Sequence, residues 1–382
     1  MSERETKITA NASKPAVTQP LFGVLVLAGL VIASAGIQAV SNIAGPVFLV
    51  ITLVITVHPL RVWLVRHRVP PVVSSLVALI VVYALLIIVL AAIVWSLTQL
   101  VTALTSYSAA FTDLYTQALS ALAKMGVRSS TLQNALSSVN LSTFAGVAQT
   151  VLTTLTSGLS SLALMLATVF FLVFDTANID DRIARIRQDR PHVAAALVEF
   201  AHVVRKYWVV STVFGVIGAV LDVAALAIIG VPMALTWGVL AFVANYIPNV
   251  GFFLGLLPPT LIALLSGGPG HAIAVVVVYC VLNVVIQTFI QPRFTGDAVG
   301  ITGTAAFLSL IFWAFTLGPL GALLAVPATL LVKSLLIDNS DSGRWFDALI
   351  GSTPKRPSKM PASPGSARGP ADLDGTRGDG AG

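Results

Sequence analysis

Long apolar runs are the feature of this sequence that most constrains its fold. The run Val72–Val94 contains no charged residue, and about 20 apolar residues are enough for a helix to cross the hydrocarbon core of a bilayer. The whole chain is 56% hydrophobic and 10% charged, whereas soluble domains carry about 25% charged residues. Because every backbone polar group needs a partner in lipid, spans of this kind are helical. The sequence therefore predicts an all-α polytopic membrane protein.

Apolar runs and polar stretches alternate along the chain and define its parts. We predict a cytoplasmic N-terminal tail (1–19), three transmembrane helices (20–97), an extracytoplasmic helical region (98–150), a fourth transmembrane helix (151–174), a cytoplasmic amphipathic linker (175–206), a transmembrane transport core (207–336) and a disordered cytoplasmic tail (337–382). Single helices are expected over 20–40, 44–58, 72–96, 151–174, 207–230 and 271–290. With two longer segments, this gives about eight transmembrane segments.

The two longer segments, 233–266 and 302–335, are too long for simple spans. A continuous helix of either length would measure about 50 Å, against about 30 Å for the hydrocarbon core. Prolines and glycines interrupt both, at Pro248–Gly251, Pro258–Pro259 and Gly318–Pro319. Paired interrupted segments are typical of transport sites. Kinked helices that only pack together would show the same pattern of prolines and glycines. The pattern fits either long tilted helices or re-entrant hairpins.

The placement of Lys and Arg predicts the orientation in the membrane, since cytoplasmic loops carry the excess of these residues. With the N-terminus inside, 19 of the 22 basic residues lie in the parts assigned to the cytoplasm. The other three are Lys124, Arg128 and Arg293. Both termini are therefore expected on the cytoplasmic side. The count does not distinguish tilted helices from hairpins, because only Arg293 would change sides.

Asp222 is an acidic residue inside the predicted fifth span, 207–230. A carboxylate at bilayer depth costs several kcal/mol unless it is paired, hydrated or protonated. It could carry a proton that is coupled to export. It could equally be a neutral or paired carboxyl group that only holds the bundle together.

Amide side chains and a possible ion pair lie beside the breaks in the transport core. They are Asn245 and Asn249 around Pro248 and Gly251, Asn283, Gln287 and Gln291 at four-residue spacing, and Arg293 and Asp297 after the following break. Residues four apart share one face of a helix. Such amides can bind a hydroxylated solute or can bond helix to helix at about 1 kcal/mol each. The charged pair could gate the path or form a plain interfacial salt bridge.

Residue types that carry catalysis or bind cofactors show no matching pattern. The five histidines lack metal-ligand spacing, Cys280 is the single cysteine, and there is no Gly-rich phosphate loop. Aromatic residues do not alternate with the basic ones, as they often do in proteins that bind nucleic acid. The sequence predicts no enzyme, cofactor or metal, and the expected partners are membrane lipid and a small-molecule substrate. Helix faces rich in Gly and Ala permit a homo-oligomer.

Three motifs in the last third of the chain resemble the autoinducer-2 exporter family of bacterial permeases. They are IPNVGFFLG, IQPRFTGDAVGI and GPLGALLAVP, within a resemblance that covers about residues 20–336. It implies a bacterial inner-membrane protein with about eight membrane segments that exports a small solute. Asn249 stands where the family usually has an aromatic residue, and Phe252 where proline is common. Asp222 is not part of the family pattern.

These observations favour a secondary transporter that exports a small polar organic solute, similar to autoinducer-2, with proton coupling as one mechanism. A sodium/proton antiporter is the alternative within the same class, although Asp222 is the only clear carboxylate at depth. A non-transporting membrane scaffold, with 98–149 and 175–206 as docking surfaces, is the alternative from another class.

Overall fold

The structure is a computed structural model that describes residues 19–124, 145–146, 149–150, 152–153, 159–248, 250–290 and 302–337. The described residues are helical and include no strand. The helices are α1 (Gln19–Ala39), α2 (Ser41–Arg66), α3 (Pro71–Ser106), α4 (Ser108–Lys124), α5 (Leu159–Asp175), α6 (Ile179–Asp189), α7 (Pro191–Ile229), α8 (Ala234–Ala244), α9 (Val250–Gly267), α10 (Pro269–Val284), α11 (Gly303–Leu317) and α12 (Pro319–Val332). One 3-10 turn precedes α6, and π-helical turns follow α10 and α12.

Four of the described helices, α2, α3, α7 and α9, are long and apolar enough to cross a membrane. The bent pair of α5 and α6 makes a fifth if it is counted as one span. Shorter apolar helices, among them α8, α10 and α11, are below that length on their own. The chain is thus an all-helical membrane protein with several apolar helices, while the number of eight spans stays a prediction.

Several helices continue through the boundaries that the sequence predicted. α2 passes through Pro59 to Arg66 instead of ending at His58, and α3 extends to Ser106. The polar loop expected after His58 is therefore mostly helix. Arg61 is buried there, and its Nε donates to the Ser75 hydroxyl of α3 at 3.0 Å. This long-range partner, rather than local sequence, explains why a basic residue lies inside the helix.

A single helix, α7, runs without a break from within the predicted linker (175–206) into the predicted fifth span (207–230). It begins at Pro191, whose missing N–H is not needed in the first turn of a helix, and it ends before Gly230. Gly230 adopts a left-handed conformation with φ of +87°, which terminates the helix. At 39 residues, α7 is about 58 Å long, which exceeds the hydrocarbon core.

Both long segments of the transport core fold as helical hairpins. In the first, α8 and α9 pack against each other on either side of a turn at 245–249. In the second, α11 and α12 fold back at Gly318, which has φ of +69°. Ser309 on α11 donates to the Ala325 carbonyl of α12 at 2.9 Å, and the indole N–H of Trp313 donates to Thr329 at 3.0 Å. These antiparallel contacts exclude one long tilted helix for either segment.

The expected break at Pro258–Pro259 is not present, because both prolines lie inside α9. The two prolines leave the carbonyls of Leu254 and Gly255 without their usual backbone donors, yet the helix continues through them. The break at Pro248 and the one at Gly318–Pro319 are observed as predicted.

Two groups of buried apolar side chains hold the helices together. The first includes Val50, Val82, Val204 and Leu324, and it joins α2, α3, α5, α7 and α12. The second surrounds Trp237 and joins α3, α7, α8, α9 and α10. The second group lies beside the functional cleft described below.

Candidate functional site

A cleft lies between α7, α10 and the α8–α9 hairpin. Its polar lining consists of Asp222 on α7, Asn245 in the hairpin turn, and Tyr279 and Asn283 on α10. Its remaining walls are Phe214, Gly215, Gly218, Ala219, Ala241, Gly251, Phe252, Gly255, Leu282 and Ile286. The cavity volume is about 60 Å³, enough for a few water molecules. Polar groups from three elements therefore converge in a largely apolar site.

Small residues on one face of α7 create the space for the cleft. Gly215, Gly218 and Ala219 share this face with Asp222, because residues three and four apart lie above one another on a helix. Gly215 also lets the α8–α9 turn approach closely, since a Cβ there would lie 3.0 Å from the Asn245 side-chain nitrogen. Sequence analysis did not identify this face, although its three- and four-residue spacing is visible in the sequence.

The backbone carbonyls of the turn at Pro248 form hydrogen bonds with other groups of the protein. The Ala244 carbonyl accepts from the Ile247 N–H at 2.8 Å, and the Ile247 carbonyl accepts from the Gly251 N–H at 2.9 Å. The Tyr246 carbonyl accepts from the hydroxyl of Tyr207 on α7 at 3.1 Å. The carbonyls that proline frees are thus bonded within the turn and to α7. They therefore do not require amide side chains or water as partners.

Glycines allow the two helices of the first hairpin to touch backbone to backbone. A Cβ on Gly251 would overlap the carbonyl oxygen of Ala244, and one on Gly255 would lie 3.2 Å from the Cα of Ala241. Gly251 is therefore part of the site as a close-contact position. Its main role in the geometry is to let α9 start directly beside the end of α8.

Asp222 lines the cleft without a partner of opposite charge among the described residues. It is half-buried, and no Lys, Arg or His that the structure describes lies within ion-pair distance of it. It makes no hydrogen bond to any residue in the described ranges. Phe214 and Phe252 flank the same cavity. A carboxyl group in such surroundings is available to a proton or a solute.

The two described amides differ in what they contact. The side-chain nitrogen of Asn245 donates to the Ser211 carbonyl of α7 at 3.1 Å. Asn283 lines the cleft but makes no hydrogen bond with the part of the chain that the structure describes. Asn245 therefore links two helices, whereas Asn283 is free to face a solute.

The predicted amide stripe begins on α10 and passes into a π-helical turn. α10 ends at Val284, and a π-helix covers Val285–Ile290. Its continuation from Asn283 to Gln287 stays a prediction. Ile286 lines the cleft beyond Asn283. The predicted residues Asn249, Gln291, Arg293 and Asp297 lie outside the described residues, as does the side chain of Gln287.

Tyr279 is the polar lining residue that sequence analysis missed. It is 4% exposed, and its hydroxyl has no hydrogen-bond partner within the described structure. It lies four residues before Asn283, so both occupy one face of α10. That spacing is visible in the sequence, but a tyrosine in an apolar run is more often a packing residue.

The apolar helices, the two hairpins and the polar cleft beside the first hairpin define a multi-pass helical membrane protein of the transporter class. A model of the family described as AI-2E family transporter matches residues 22–339, and the chain belongs to this family. The resemblance to autoinducer-2 exporters in the sequence is thereby confirmed. The family consists of transport proteins, which is consistent with the expectation that this chain is not an enzyme.

Two relatives from Escherichia coli (strain K12) are similar to the chain over most of its length. The AI-2 transport protein TqsA is 30% identical over 341 residues, covering 88% of this chain and 98% of TqsA. YhhT, for which transport is the expected role, is 29% identical over 88% of this chain and 96% of YhhT. A Mycobacterium tuberculosis protein with the same expected role is 36% identical over 104 residues, or 27% of this chain and 28% of that protein.

Proposed function

We propose that this transporter exports a small polar organic solute of the autoinducer-2 type across the bacterial inner membrane, with proton coupling through Asp222. The observation that carries the proposal is the convergence of Asp222, Asn283 and Tyr279 in one cleft beside the first broken segment. Discontinuous helices with polar groups between them are how many secondary transporters build their sites. The name of the relative TqsA supports autoinducer-2 as the first solute to test.

The proposed coupling follows from the surroundings of Asp222. A charged carboxylate among apolar walls is costly, and a protonated one is not. A cleft that opens first to one side and then to the other would let this group take up a proton on one side and release it on the other. Solute bound beside Asp222 would favour one of the two protonation states, which links the two fluxes.

Asp222→Asn is expected to remove the pH dependence of efflux while the protein still folds. A neutral amide has nearly the shape of the protonated acid but cannot release a proton. The measurement is autoinducer-2 efflux from vesicles that contain the purified protein, at a series of external pH values. Asp189→Asn on the exposed face of α6 is the matched control and should behave as wild type.

The same vesicles distinguish the rival functions. Unchanged pH dependence in Asp222→Asn would contradict proton coupling through this residue. Proton movement driven by a sodium gradient, without flux of an organic solute, would favour a sodium/proton antiporter. The absence of any flux would favour a scaffold.

The proposed orientation places α4 outside the cell and α6 in the cytoplasm, because the basic residues cluster in the parts assigned to the inside. Thr116 and Gln188 are exposed on these two helices. Cysteines placed there in a Cys280→Ala background should react with a membrane-impermeant maleimide from opposite sides of the membrane. Labelling of both positions from intact cells would contradict the orientation.

A further inference from the structure

The hydroxyl of Tyr279 is unlike those of three other tyrosines in the described part of this protein. Tyr83 donates to the Leu166 carbonyl at 2.7 Å, Tyr207 donates to the Tyr246 carbonyl at 3.1 Å, and the Tyr246 hydroxyl bonds to Thr212 at 2.8 Å. Each of these bonds connects two different elements. The Tyr279 hydroxyl is buried, yet no described residue bonds to it.

A buried hydroxyl without a partner weakens the folded state, because it has lost water and gained nothing in return. Such groups are rare in folded proteins and call for a specific explanation. The Tyr279 hydroxyl belongs to a residue that lines the cleft. A bound molecule that supplies a hydrogen-bonding atom would recover the lost free energy.

The other polar groups of the cleft restrict the chemistry of that molecule. Asp222 offers carboxyl oxygens as acceptors and would repel an anion, while Asn283 offers both a donor and an acceptor. The walls beside them are apolar, with Phe252 and Leu282 among them. A neutral organic molecule with hydroxyl groups matches this arrangement, since each hydroxyl donates one hydrogen bond and accepts others.

We propose that Tyr279 and Asp222 together recognise a hydroxyl group of the transported solute, which makes the cleft selective for neutral hydroxylated compounds. The solute hydroxyl donates to the Asp222 carboxyl and accepts from the Tyr279 hydroxyl. Asn283 binds a second polar group of the same molecule. This assignment rests on the proposed transport function and names the substrate class and the residue that selects it.

The test compares Tyr279→Phe with Tyr83→Phe. Both changes delete one tyrosine hydroxyl, but that of Tyr83 is partly buried and bonded between α3 and α5, away from the cleft. Without solute, Tyr279→Phe should melt at the wild-type temperature or above it, because it removes an unpartnered group. Tyr83→Phe should melt at a lower temperature, because it leaves the Leu166 carbonyl without this donor.

Binding is measured as the thermal stabilisation of the purified full-length protein by D-ribose, erythritol and autoinducer-2. At least one of these compounds should stabilise the wild type. In Tyr279→Phe the half-saturating concentration of that compound should be higher by about tenfold or more. Tyr83→Phe should leave that concentration unchanged.

Equal half-saturating concentrations in the wild type and Tyr279→Phe would overturn the role of Tyr279. A wild type that none of the three compounds stabilises would overturn the hydroxylated substrate class. Efflux from wild-type vesicles is measured separately. Binding without efflux would therefore contradict the proposed transport, while the assignment of Tyr279 would stand. Efflux by the wild type, together with an unchanged half-saturating concentration in Tyr279→Phe, would contradict the assignment of Tyr279, while the proposed transport would stand.

Discussion

Gly251→Ala is expected to cost about 3 kcal/mol or more of folding stability, because the added methyl group overpacks a backbone contact. The Cβ would overlap the Ala244 carbonyl oxygen, and a backbone carbonyl cannot turn away as a flexible side chain can. The α8–α9 hairpin would have to open, which also moves Asn245 away from the Ser211 carbonyl. The measurement is the yield of monodisperse protein after detergent extraction, together with its melting temperature.

Two further glycines provide comparison variants for this prediction. Gly321 contacts the Trp313 carbonyl in the second hairpin as closely as Gly251 contacts Ala244, so Gly321→Ala should be comparably damaging. Gly36 lies on an exposed face of α1, and a Cβ added to it would have no other atom within 4 Å. Gly36→Ala should be neutral or stabilising by up to about 1 kcal/mol. Wild-type stability in Gly251→Ala would contradict the close contact.

The breaks of the transport core could be predicted from sequence because their causes are local. Gly318 followed by Pro319 combines a residue that adopts positive φ with one that starts a new helix. The same reasoning failed at Pro59 and at Pro258–Pro259, where the helices continue. Pro59 leaves the Ile55 carbonyl without its helical donor, and this carbonyl accepts instead from the Arg205 side chain of α7 at 3.4 Å. Proline in a sequence does not show whether such compensation exists.

The site could be predicted only in part, because the sequence shows which residues are polar but not which of them have partners. Asp222, Asn245 and Asn283 are conspicuous as polar residues in apolar runs, and the structure places all three on one cleft. Tyr279 was missed because its significance depends on a missing partner, which only a three-dimensional structure can show. The sequence also does not reveal the π-helix that begins at Val285, and the stripe through Gln287 stays a prediction.

Asn283→Leu is expected to abolish efflux while the protein keeps its wild-type melting temperature. Leucine is branched at Cγ as asparagine is but offers no hydrogen bond, and Asn283 bonds to no residue in the described structure. The change therefore removes a polar contact to solute without removing a contact between helices. Efflux of autoinducer-2 from vesicles, normalised to the amount of folded protein, measures the effect.

Asn245→Leu is the contrasting variant, because its amide donates to the Ser211 carbonyl at 3.1 Å. An interhelical bond of this kind contributes about 1 kcal/mol in membranes, so this change should lower the melting temperature, whereas Asn283→Leu should not. Both residues line the cleft, so efflux per folded molecule should fall in both variants. If Asn283→Leu instead destabilises the protein and leaves efflux per folded molecule intact, Asn283 serves to hold helices together and does not contact the solute.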